Sequence, residues 1–433
     1  MPRIRLRWLE QHTPTFFSGT TWGVAWPQGQ IKANQNFELH SASGHPVPIQ
    51  SWPQAYWPDG SIKWSAHALA APAEATDEHY EIAPTTAISH SAKISAIPPL
   101  ATTTDNGVSV QTGGLSCRIN TGEVFLTQVV SRGAERITQG RLLLKIEHSI
   151  GQSDSDETIQ THLYKGHVSE VLLEQSGPIR AVVKVSGAHH GQNGADYLPF
   201  VLRFYFYKNQ PTFRVVHTLV HNVPPEQGTI RGIGLELSIP LNGHFYDRHI
   251  RFVTAQGGVF SESIQGLTGL RRDPGETIRQ AQLAGSSAPP QSTWSKAVQD
   301  TLAFIPVYSQ YSLLQAQSEG YSISKRIDAN NSWVHAQSGH RASGSGFIGD
   351  GSGGVAFGIR NFWQSFPAQI DITHTQTDLA HTTLWLWAPD GPPMDVRPYH
   401  TPTNEQTFQD QRKALDNTYE EYEPGFSSAY GVG

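Results

Sequence analysis

The 433-residue chain has little cysteine, little charge and no excess of basic residues. Its single cysteine, Cys117, excludes an intramolecular disulfide framework and cysteine-rich zinc sites. Charged residues make up 16% of the chain, and 31 Lys and Arg against 37 Asp and Glu give a net charge of −6. A nucleic-acid-binding protein needs a basic surface to hold phosphates, so we predict no nucleic-acid partner.

Long apolar runs are also missing. No stretch reaches the about 18 apolar residues of a membrane-spanning helix, and the basic residues 1–7 are not followed by the apolar core of a signal peptide. We therefore expect no membrane partner and a cytoplasmic location. No His-Glu-x-x-His helix and no carboxylate-rich calcium loop stands out. We predict no metal and no cofactor.

Glycine, proline and tryptophan are plentiful. The 40 Gly and 28 Pro indicate many short elements separated by turns, in a chain long enough to bury a sizeable core. No useful length of helical periodicity occurs in residues 4–83. Residues 84–106 are rich in Ala, Ser, Thr and Pro, as in a linker between domains. These features predict an all-β protein of about two to three domains.

Residues 51–64 carry three tryptophans and a turn signal. Pro58 blocks strand pairing and Asp59-Gly60 tolerates the positive φ angles of a hairpin turn, after which Ile62 and Trp64 are predicted to share one strand face. Six of the 11 Trp fall within the first 64 residues. Such density indicates either a sugar-stacking platform or the core of a small β-barrel, and burial is the more common fate of large aromatics.

The clearest strand pattern begins at residue 201. Residues 201–207 alternate in polarity, residues 208–211 form a turn, and residues 212–221 continue with period two, which predicts a long antiparallel hairpin. Its length and aromatic content are typical of a two-sheet sandwich. Further strands are predicted at residues 181–185, 232–239, 355–359, 368–372 and 382–387. Residues 405–422 are compatible with a helix.

Four segments together resemble the exo-rhamnogalacturonan lyase family: residues 4–10, 19–27, 51–64 and 360–367. The resemblance implies three regions. Residues 1–99 would form a small RIFT-like β-barrel. Residues 100–392 would form a large antiparallel β-sandwich (supersandwich-like) regarded as catalytic. Residues 393–433 would be a short helical stub leading to an α/α toroid that is missing here.

The function that the resemblance implies is β-elimination on rhamnogalacturonan, a step in pectin degradation that leaves an unsaturated uronic acid. The partner would be an acidic polysaccharide or oligosaccharide. The chemistry needs a cation or amide that neutralises the uronate carboxylate, a base for the C5 proton and an acid for the leaving oxygen. Two alternatives stay open: glycoside hydrolysis by two carboxylates about 5 to 10 Å apart, and a non-catalytic carbohydrate-binding or truncated inactive protein.

The main candidate catalytic group lies beside a glycine-rich run at residues 344–354. It contains His340, Arg341 and Arg360, with His335 as a substrate-binding residue. Permissive glycines would let the backbone approach a sugar acid, and an arginine would pair its carboxylate bidentately. The alternative is a hairpin crown with solvated polar residues.

Two further groups contain possible bases. His217 and His221 are separated by an even number of residues, so they share a strand face, and Asn222 adds an amide; the alternative is a hydrogen-bonded core histidine. Tyr246 would serve as a base if the neighbouring Arg248 lowers its pKa. The alternative is an ordinary polar loop.

The last candidates lie towards the C-terminus. Arg397 and His400 belong to a segment that resembles the family near its toroid junction. Trp385 and Trp387 alternate with leucines, so both are predicted on one sheet face, for stacking on sugar or for packing. An exposed apolar face in the stub predicts self-association. Its candidate residues are Phe408, Leu415, Tyr419, Tyr422 and Phe426.

Overall fold

The computed structural model describes residues 3–9, 12–14, 17–70, 77–85, 98–150, 158–191, 196–221, 228–267 and 273–394. Nearly all regular structure in these residues is β-strand, as predicted. The first seven strands are β1 (Ile4–Arg7), β2 (Thr20–Ala25), β3 (Asn36–Ser41), β4 (Pro46–Val47), β5 (Gln50–Tyr56), β6 (Ile62–Leu69) and β7 (His79–Thr85).

These strands form the N-terminal barrel from two antiparallel sheets, in the orders β1-β7-β3-β4 and β2-β6-β5. The sheets enclose a core that includes Trp26, Leu39 and Ile82, each at most 2% exposed. Trp26 also donates its indole N–H to Ser65 Oγ at 2.8 Å, and Ser65 Oγ lies 2.7 Å from His67 Nε2. Part of the tryptophan density therefore builds the core.

The turn at residues 58–60 is confirmed, since β5 and β6 pair across it and Gly60 has a φ of 81°. The predicted common face of Ile62 and Trp64 is wrong. Ile62 is 1% exposed, whereas Trp64 is 44% exposed. A β-bulge where Ala55 and Tyr56 face this strand changes the alternation between the two residues.

The remaining strands form the central β-sandwich. They are β8 (Ala101–Thr104), β9 (Gly107–Gln111), β10 (Ser116–Asn120), β11 (Leu126–Ser131), β12 (Ala134–Ile150), β13 (Thr158–Gln175), β14 (Arg180–His190), β15 (Asp196–Tyr207), β16 (Phe213–Leu219), β17 (Thr229–Pro240), β18 (His249–Val253), β19 (Val259–Ser263), β20 (Gln310–Gln317), β21 (Gly320–Arg326), β22 (Val334–Gly339), β23 (Ser345–Asp350), β24 (Gly353–Gly358), β25 (Ala368–Thr373) and β26 (Leu379–Trp387).

The main sheet runs in the order β16-β15-β14-β13-β12-β17-β26-β25-β20-β21-β22, with β8 to β11 attached at β12. All of its pairs are antiparallel, and the predicted hairpin is confirmed as β15 and β16. A second sheet, β19-β18-β23-β24, contributes Ile250, Phe252 and Ile348 to the same core as Leu313 and Ile370 of the main sheet. One face of the main sheet is therefore buried in the sandwich.

Helix is scarce in the part of the chain that the structure describes. It contains two short α-helices, α1 (Glu276–Ala284) and α2 (Lys296–Thr301), and 3₁₀ turns at Phe245–Asp247, Ala255–Gly257, Gln291–Thr293 and Leu302–Phe304. Neither helix is long and apolar enough to pass through a membrane. The predicted helical stub and its apolar residues lie, apart from positions 393 and 394, outside the described residues.

The glycine-rich run is a β-hairpin, which was the alternative to a ligand-binding loop. β23 and β24 pair from Ser345 to Gly358. A Cβ on Gly349 or Gly354 would lie 2.6 or 2.7 Å from the ring of Phe347. The glycines let an aromatic ring cross the strand pair at close range, so packing within the protein explains them.

Candidate functional site

The outer face of the main sheet, opposite the sandwich core, carries a set of ionisable side chains. On β12, Leu142, Leu144 and Ile146 are buried in the core, and successive side chains of a strand point to opposite faces. Arg141 and Lys145 of the same strand therefore lie on the outer face. This places charged groups over the centre of a rigid sheet.

Strand register aligns these side chains in rows. Arg141 of β12 is opposite Glu236 of β17, Glu236 is opposite Thr383 of β26, and Thr383 is opposite Asp371 of β25. His381 lies two residues from Thr383, and therefore on the same face. We call Arg141, Glu236, Asp371 and His381 the central polar face.

His381 is the candidate proton acceptor of the central polar face. Its Nδ1 lies 3.1 Å from Ser238 Oγ, and its ring centroid is 5.2 Å from that of His374. Burial lowers its pKa below the usual 6.5; the charges of His374 and Arg141 lower it further, and Glu236 opposes them. The imidazole is therefore neutral at pH 7 and can accept a proton.

Arg141 lies among carboxylates. Its Nε is 3.2 Å from Glu236 Oε1, its Nη1 is 3.5 Å from Glu123 Oε1, and its Nη2 donates to Gln139 Oε1 at 2.7 Å. Lys165 also pairs with Glu123, at 2.9 Å. The Arg141 and Glu236 side chains are 21% and 20% exposed. Arg141 lies on the same face as His381, and a ligand carboxylate would replace Glu123, the more distant and more exposed of its two acidic partners.

Asp371 is the candidate proton donor. Burial raises its pKa above the usual 3.8; hydrogen bonds from Gln369, Ser312 and Trp385 oppose this rise, and the charge of Asp390 adds a little to it. Trp385 Nε1 and Gln369 Nε2 each donate a hydrogen bond to its carboxylate at 2.8 Å. Lys145 Nζ lies 4.9 Å from the Trp385 ring centroid. A carboxyl group with a raised pKa keeps a proton to higher pH than an exposed one does.

Trp385 lies on the outer face, but its predicted partner does not. A register shift occurs where Ile233 and Gly234 pair with Trp387 and Trp385. Trp387 packs on the core side with Ile233 and Leu144, so the prediction that both rings share one sheet face is wrong. Trp385 is only 4% exposed and covers Gly234, which argues for packing rather than for sugar stacking.

The group predicted around the glycine-rich run is separated by β22. His335 is at the start of this strand and His340 follows its end, so about 16 Å of strand lies between them. Arg341 pairs with Glu319 and its guanidinium lies 4.2 Å from the Trp363 ring centroid. His335, His340, Arg341 and Arg360 are all exposed. Their catalytic and binding roles stay predictions.

His217 lies on the core-facing side of β16. Burial and, to a smaller extent, the charge of the nearby His189 lower its pKa to about 4, and its Nε2 is buried without a hydrogen-bond partner among the described residues. His221, four residues on, is partly buried. These surroundings favour the alternative of a core histidine for His217. Asn222 lies outside the described residues, as do Arg397 and His400.

The expected activation of Tyr246 is wrong in direction. Burial raises its pKa, and the charge of Asp247 raises it further. Arg248 is 4% exposed and donates to the carbonyl oxygens of Leu241, Gly243, Thr375 and Thr377. Through these carbonyls and an ion pair with Asp378 at 3.5 Å, Arg248 joins two loops of the protein.

The sequence analysis did not find the central polar face, because its members come from strands up to 240 positions apart. Each strand alone shows polar residues alternating with apolar ones, such as Glu236 between Leu235 and Leu237 in β17. The only local signal is a charged residue within a strand buried on its other face. Among the described residues, no group of three or more His, Cys, Asp or Glu side chains is arranged to hold a metal ion.

Comparison with known families and proteins identifies the class of the chain. Residues 2–85 match the PcRGLX-like N-terminal RIFT barrel domain, and residues 100–433 match the PcRGLX-like protein central beta sandwich domain. The chain belongs to this family, as the resemblance to exo-rhamnogalacturonan lyases predicted.

A relative comes from Bacillus subtilis strain 168 and is described as uncharacterized protein YetA. It is 30% identical over 403 residues, which are 91% of this chain and 45% of that protein. The chain therefore spans about half the length of this relative.

Proposed function

We propose that this protein is a polysaccharide lyase that cleaves a rhamnogalacturonan-type uronate polymer by β-elimination. The family match supports the class of reaction. The observation that carries the proposal is the neutral His381 beside Arg141, because elimination needs both a proton acceptor and a cation for the uronate carboxylate.

In the proposed mechanism Arg141 contacts the substrate carboxylate, which makes the C5 proton more acidic. His381 removes that proton, and its Nδ1 contact with Ser238 holds the ring in place. Asp371 gives a proton to the leaving oxygen. His381 and Asp371 are diagonal neighbours on the paired strands β26 and β25, about 7 to 8 Å apart at Cα, so both act on the same sugar residue in this proposal.

A second candidate function is glycoside hydrolysis. Glu236 and Asp371 lie in one row with Thr383 between them, and two strand spacings put their backbones about 9.6 Å apart. That backbone separation is just above the distance of about 6.5 to 9.5 Å between the carboxyl groups of inverting glycosidases. The ion pair with Arg141 occupies Glu236, which an inverting enzyme would need free to activate a water, and this makes elimination the better-supported reaction.

The two reactions leave different products. Elimination creates an unsaturated uronate that absorbs ultraviolet light, whereas hydrolysis creates reducing ends without this absorbance. We expect the absorbance to rise when the protein is incubated with rhamnogalacturonan. Reducing ends without absorbance would establish hydrolysis instead. If the wild-type protein gives neither product, the catalytic proposal is wrong and the carbohydrate-binding alternative is supported.

Variants assign the reaction to a site. We expect His381→Gln to lower the rate at least about 100-fold, since a positioned general base contributes about 10² to 10⁴. His340→Gln is the matched control, because it removes an exposed imidazole elsewhere, and Arg341→Ala with Arg360→Ala tests the site predicted from the sequence. If His381→Gln keeps full activity while His340→Gln, Arg341→Ala and Arg360→Ala lose it, the chemistry takes place beside the glycine-rich run at residues 344–354. Thermal unfolding checks that each variant is folded.

A further inference from the structure

A strip of aromatic rings and arginines crosses the junction between the barrel and the sandwich. The Arg180 guanidinium lies 5.2 Å from the Trp52 ring centroid and 5.1 Å from that of Tyr205. Arg214 lies 5.8 Å from the Tyr205 ring on the other side. With Trp64, these residues form what we call the junction strip. Rings and cations alternate from Trp52 to Arg214, and Trp64 adds a second ring at the barrel end.

Trp64 extends the strip on the barrel. It lies on β6 two residues from Ala66, which is opposite Trp52, so the two tryptophans are diagonal neighbours about 7 to 8 Å apart at Cα. A Cβ on Gly23 would lie 2.1 Å from Trp64 Nε1. The indole therefore lies flat on the sheet over Gly23. At 44% exposure, it offers a ring surface to solvent.

The two arginines of the strip lack an acidic partner in the part of the chain that the structure describes. Arg180 Nη1 donates to the neutral amide oxygen of Gln175, and Arg214 is exposed. By contrast, the neighbouring Arg203 forms a bidentate pair with Glu174 at 2.8 and 2.9 Å. The strip therefore presents uncompensated positive charge in a protein whose net charge is −6.

Contacts across the junction hold the strip in place. Gln50 Oε1 accepts hydrogen bonds from the backbone N–H groups of Ile179 and Arg180 at 3.2 and 2.9 Å. Thr21 Oγ1 and Tyr207 Oη are 2.9 Å apart. The Gln50 contact joins the barrel to the start of β14, and the Thr21 contact joins it to the end of β15. A preformed surface avoids most of the ordering cost of binding.

We propose that the junction strip binds an acidic oligosaccharide chain, separately from the central polar face. Amphipathic aromatic rings suit the C–H face of a sugar, and guanidinium groups suit its carboxylates through charge-assisted hydrogen bonds. Single-stranded nucleic acid also stacks on aromatic rings beside arginine, but the negative charge of the whole protein opposes it.

The strip is distant from the central polar face. Val182 of β14 pairs with both Tyr205 and Gln175, whereas Leu143, two residues after Arg141, pairs with Lys165 of β13. The ten residues of β13 from Gln175 to Lys165, less the two from Leu143 back to Arg141, leave about 26 Å along the strands. Binding at the strip therefore needs no catalysis, and its test does not depend on the proposed function.

Affinity electrophoresis of the full chain tests this proposal. The gels contain polygalacturonate, its methyl ester or no polymer, and a separate titration uses single-stranded DNA. We expect polygalacturonate to retard the wild-type protein and its methyl ester to do so much less, because esterification removes the charge that the arginines recognise. Trp64→Ala and Arg214→Ala should each raise the apparent Kd for polygalacturonate about five- to tenfold.

Two control variants match these changes elsewhere on the surface. Arg118→Ala removes an exposed arginine of β10, and Phe304→Ala removes an aromatic ring that is 75% exposed. Both should bind as the wild type does. The proposal would be overturned if the control variants lost as much affinity for polygalacturonate as the strip variants do. It would also be overturned if the methyl ester retarded the protein equally, or if DNA bound more tightly than polygalacturonate. Unchanged binding in both strip variants would do so as well.

Discussion

Histidine illustrates how surroundings set the chemistry of a residue in this protein. Burial lowers the pKa of His67, His217 and His249 to about 4, whereas His381 is only partly buried and lies near charged groups. His67 has serine hydroxyls against both ring nitrogens, at 2.8 and 2.7 Å. The 20 His of the sequence therefore include several whose neutral form is structural. Counting histidines could not distinguish them from a base.

The buried histidines make the stability depend on pH. Below pH 6.5 the unfolded chain protonates these side chains, but the folded protein does not until about pH 4. Above pH 6.5 these histidines are neutral in both states and cost the fold nothing. As the pH drops from 6.5 to 4, proton uptake by the unfolded chain lowers the free energy of unfolding. We expect a loss of about 2 kcal/mol for each such histidine at pH 5. Urea unfolding at pH 7.5 and pH 5 measures it.

His217→Phe isolates one of these contributions. Phenylalanine cannot be protonated and suits the apolar surroundings of the buried Nε2, so the variant should lose about 2 kcal/mol less than the wild type between pH 7.5 and pH 5. His340→Gln, at an 83% exposed side chain, is the control and should behave as the wild type does. An equal pH-dependent loss in His217→Phe would mean that His217 is not held neutral.

At the level of strands, local sequence patterns were sufficient to predict structure where apolar and polar residues alternate regularly. The hairpin of β15 and β16 and the turn at residues 58–60 follow from period two and turn residues, and both are confirmed. The predictions for Trp64 and Trp387 failed because β-bulges shift the alternation by one residue. A bulge depends on pairing with a distant strand, which a single segment cannot reveal.

The central polar face required pairing between strands that are far apart in sequence. Arg141 and His381 meet only because β12, β17 and β26 are neighbours in the sheet. The resemblance to a known family predicted the barrel and the sandwich, but it did not identify this face. Sequence reasoning instead favoured His340 and Arg341, which are adjacent in the chain and near glycines. Adjacency along the chain could not reveal how Arg141, Glu236 and Asp371 line up across the sheet.

Gly234 of β17 allows Trp385 to lie across the sheet, and its replacement tests that arrangement. A Cβ there would be 2.6 Å from Trp385 Cε3, so the ring must move and its hydrogen bond to Asp371 must lengthen. We expect Gly234→Ala to lower the free energy of unfolding by about 1 to 3 kcal/mol, the usual cost of overpacking. Urea unfolding measures this change.

Gly266→Ala is the matched control for Gly234→Ala. A Cβ on Gly266 meets nothing within 4 Å, and its φ is not in the left-handed region. We therefore expect this control to change the free energy of unfolding by less than about 1 kcal/mol. Equal stability of the two variants would show that Trp385 does not depend on the missing side chain of Gly234.

The whole described molecule is a barrel and a sandwich joined through few polar contacts. Gln50 is central to them, because its side-chain oxygen accepts two backbone hydrogen bonds from the start of β14. Gly177 packs directly against the Gln50 amide, where a Cβ would lie 2.1 Å from its oxygen. Cooperative unfolding of the two parts depends on such contacts.

We expect Gln50→Ala to separate the unfolding of the barrel from that of the sandwich. The variant leaves the N–H groups of Ile179 and Arg180 without their acceptor, which costs about 1 to 3 kcal/mol. Six of the 11 Trp are in the first 64 residues, so tryptophan fluorescence gives the barrel more than half of the signal, whereas far-ultraviolet circular dichroism is dominated by the longer strands of the sandwich. The two urea transitions should coincide in the wild type and diverge in the variant.

Two further variants decide whether the junction is the cause. Gly177→Ala disrupts the same contact from the sandwich side, because its Cβ displaces the Gln50 amide. It should therefore also separate the two unfolding transitions. Gln54→Ala changes an exposed glutamine on the same strand and should leave the transitions coincident. If the transitions coincide in Gln50→Ala and Gly177→Ala, apolar contacts rather than the Gln50 amide couple the barrel to the sandwich. Binding at the junction strip would then be expected to survive both substitutions.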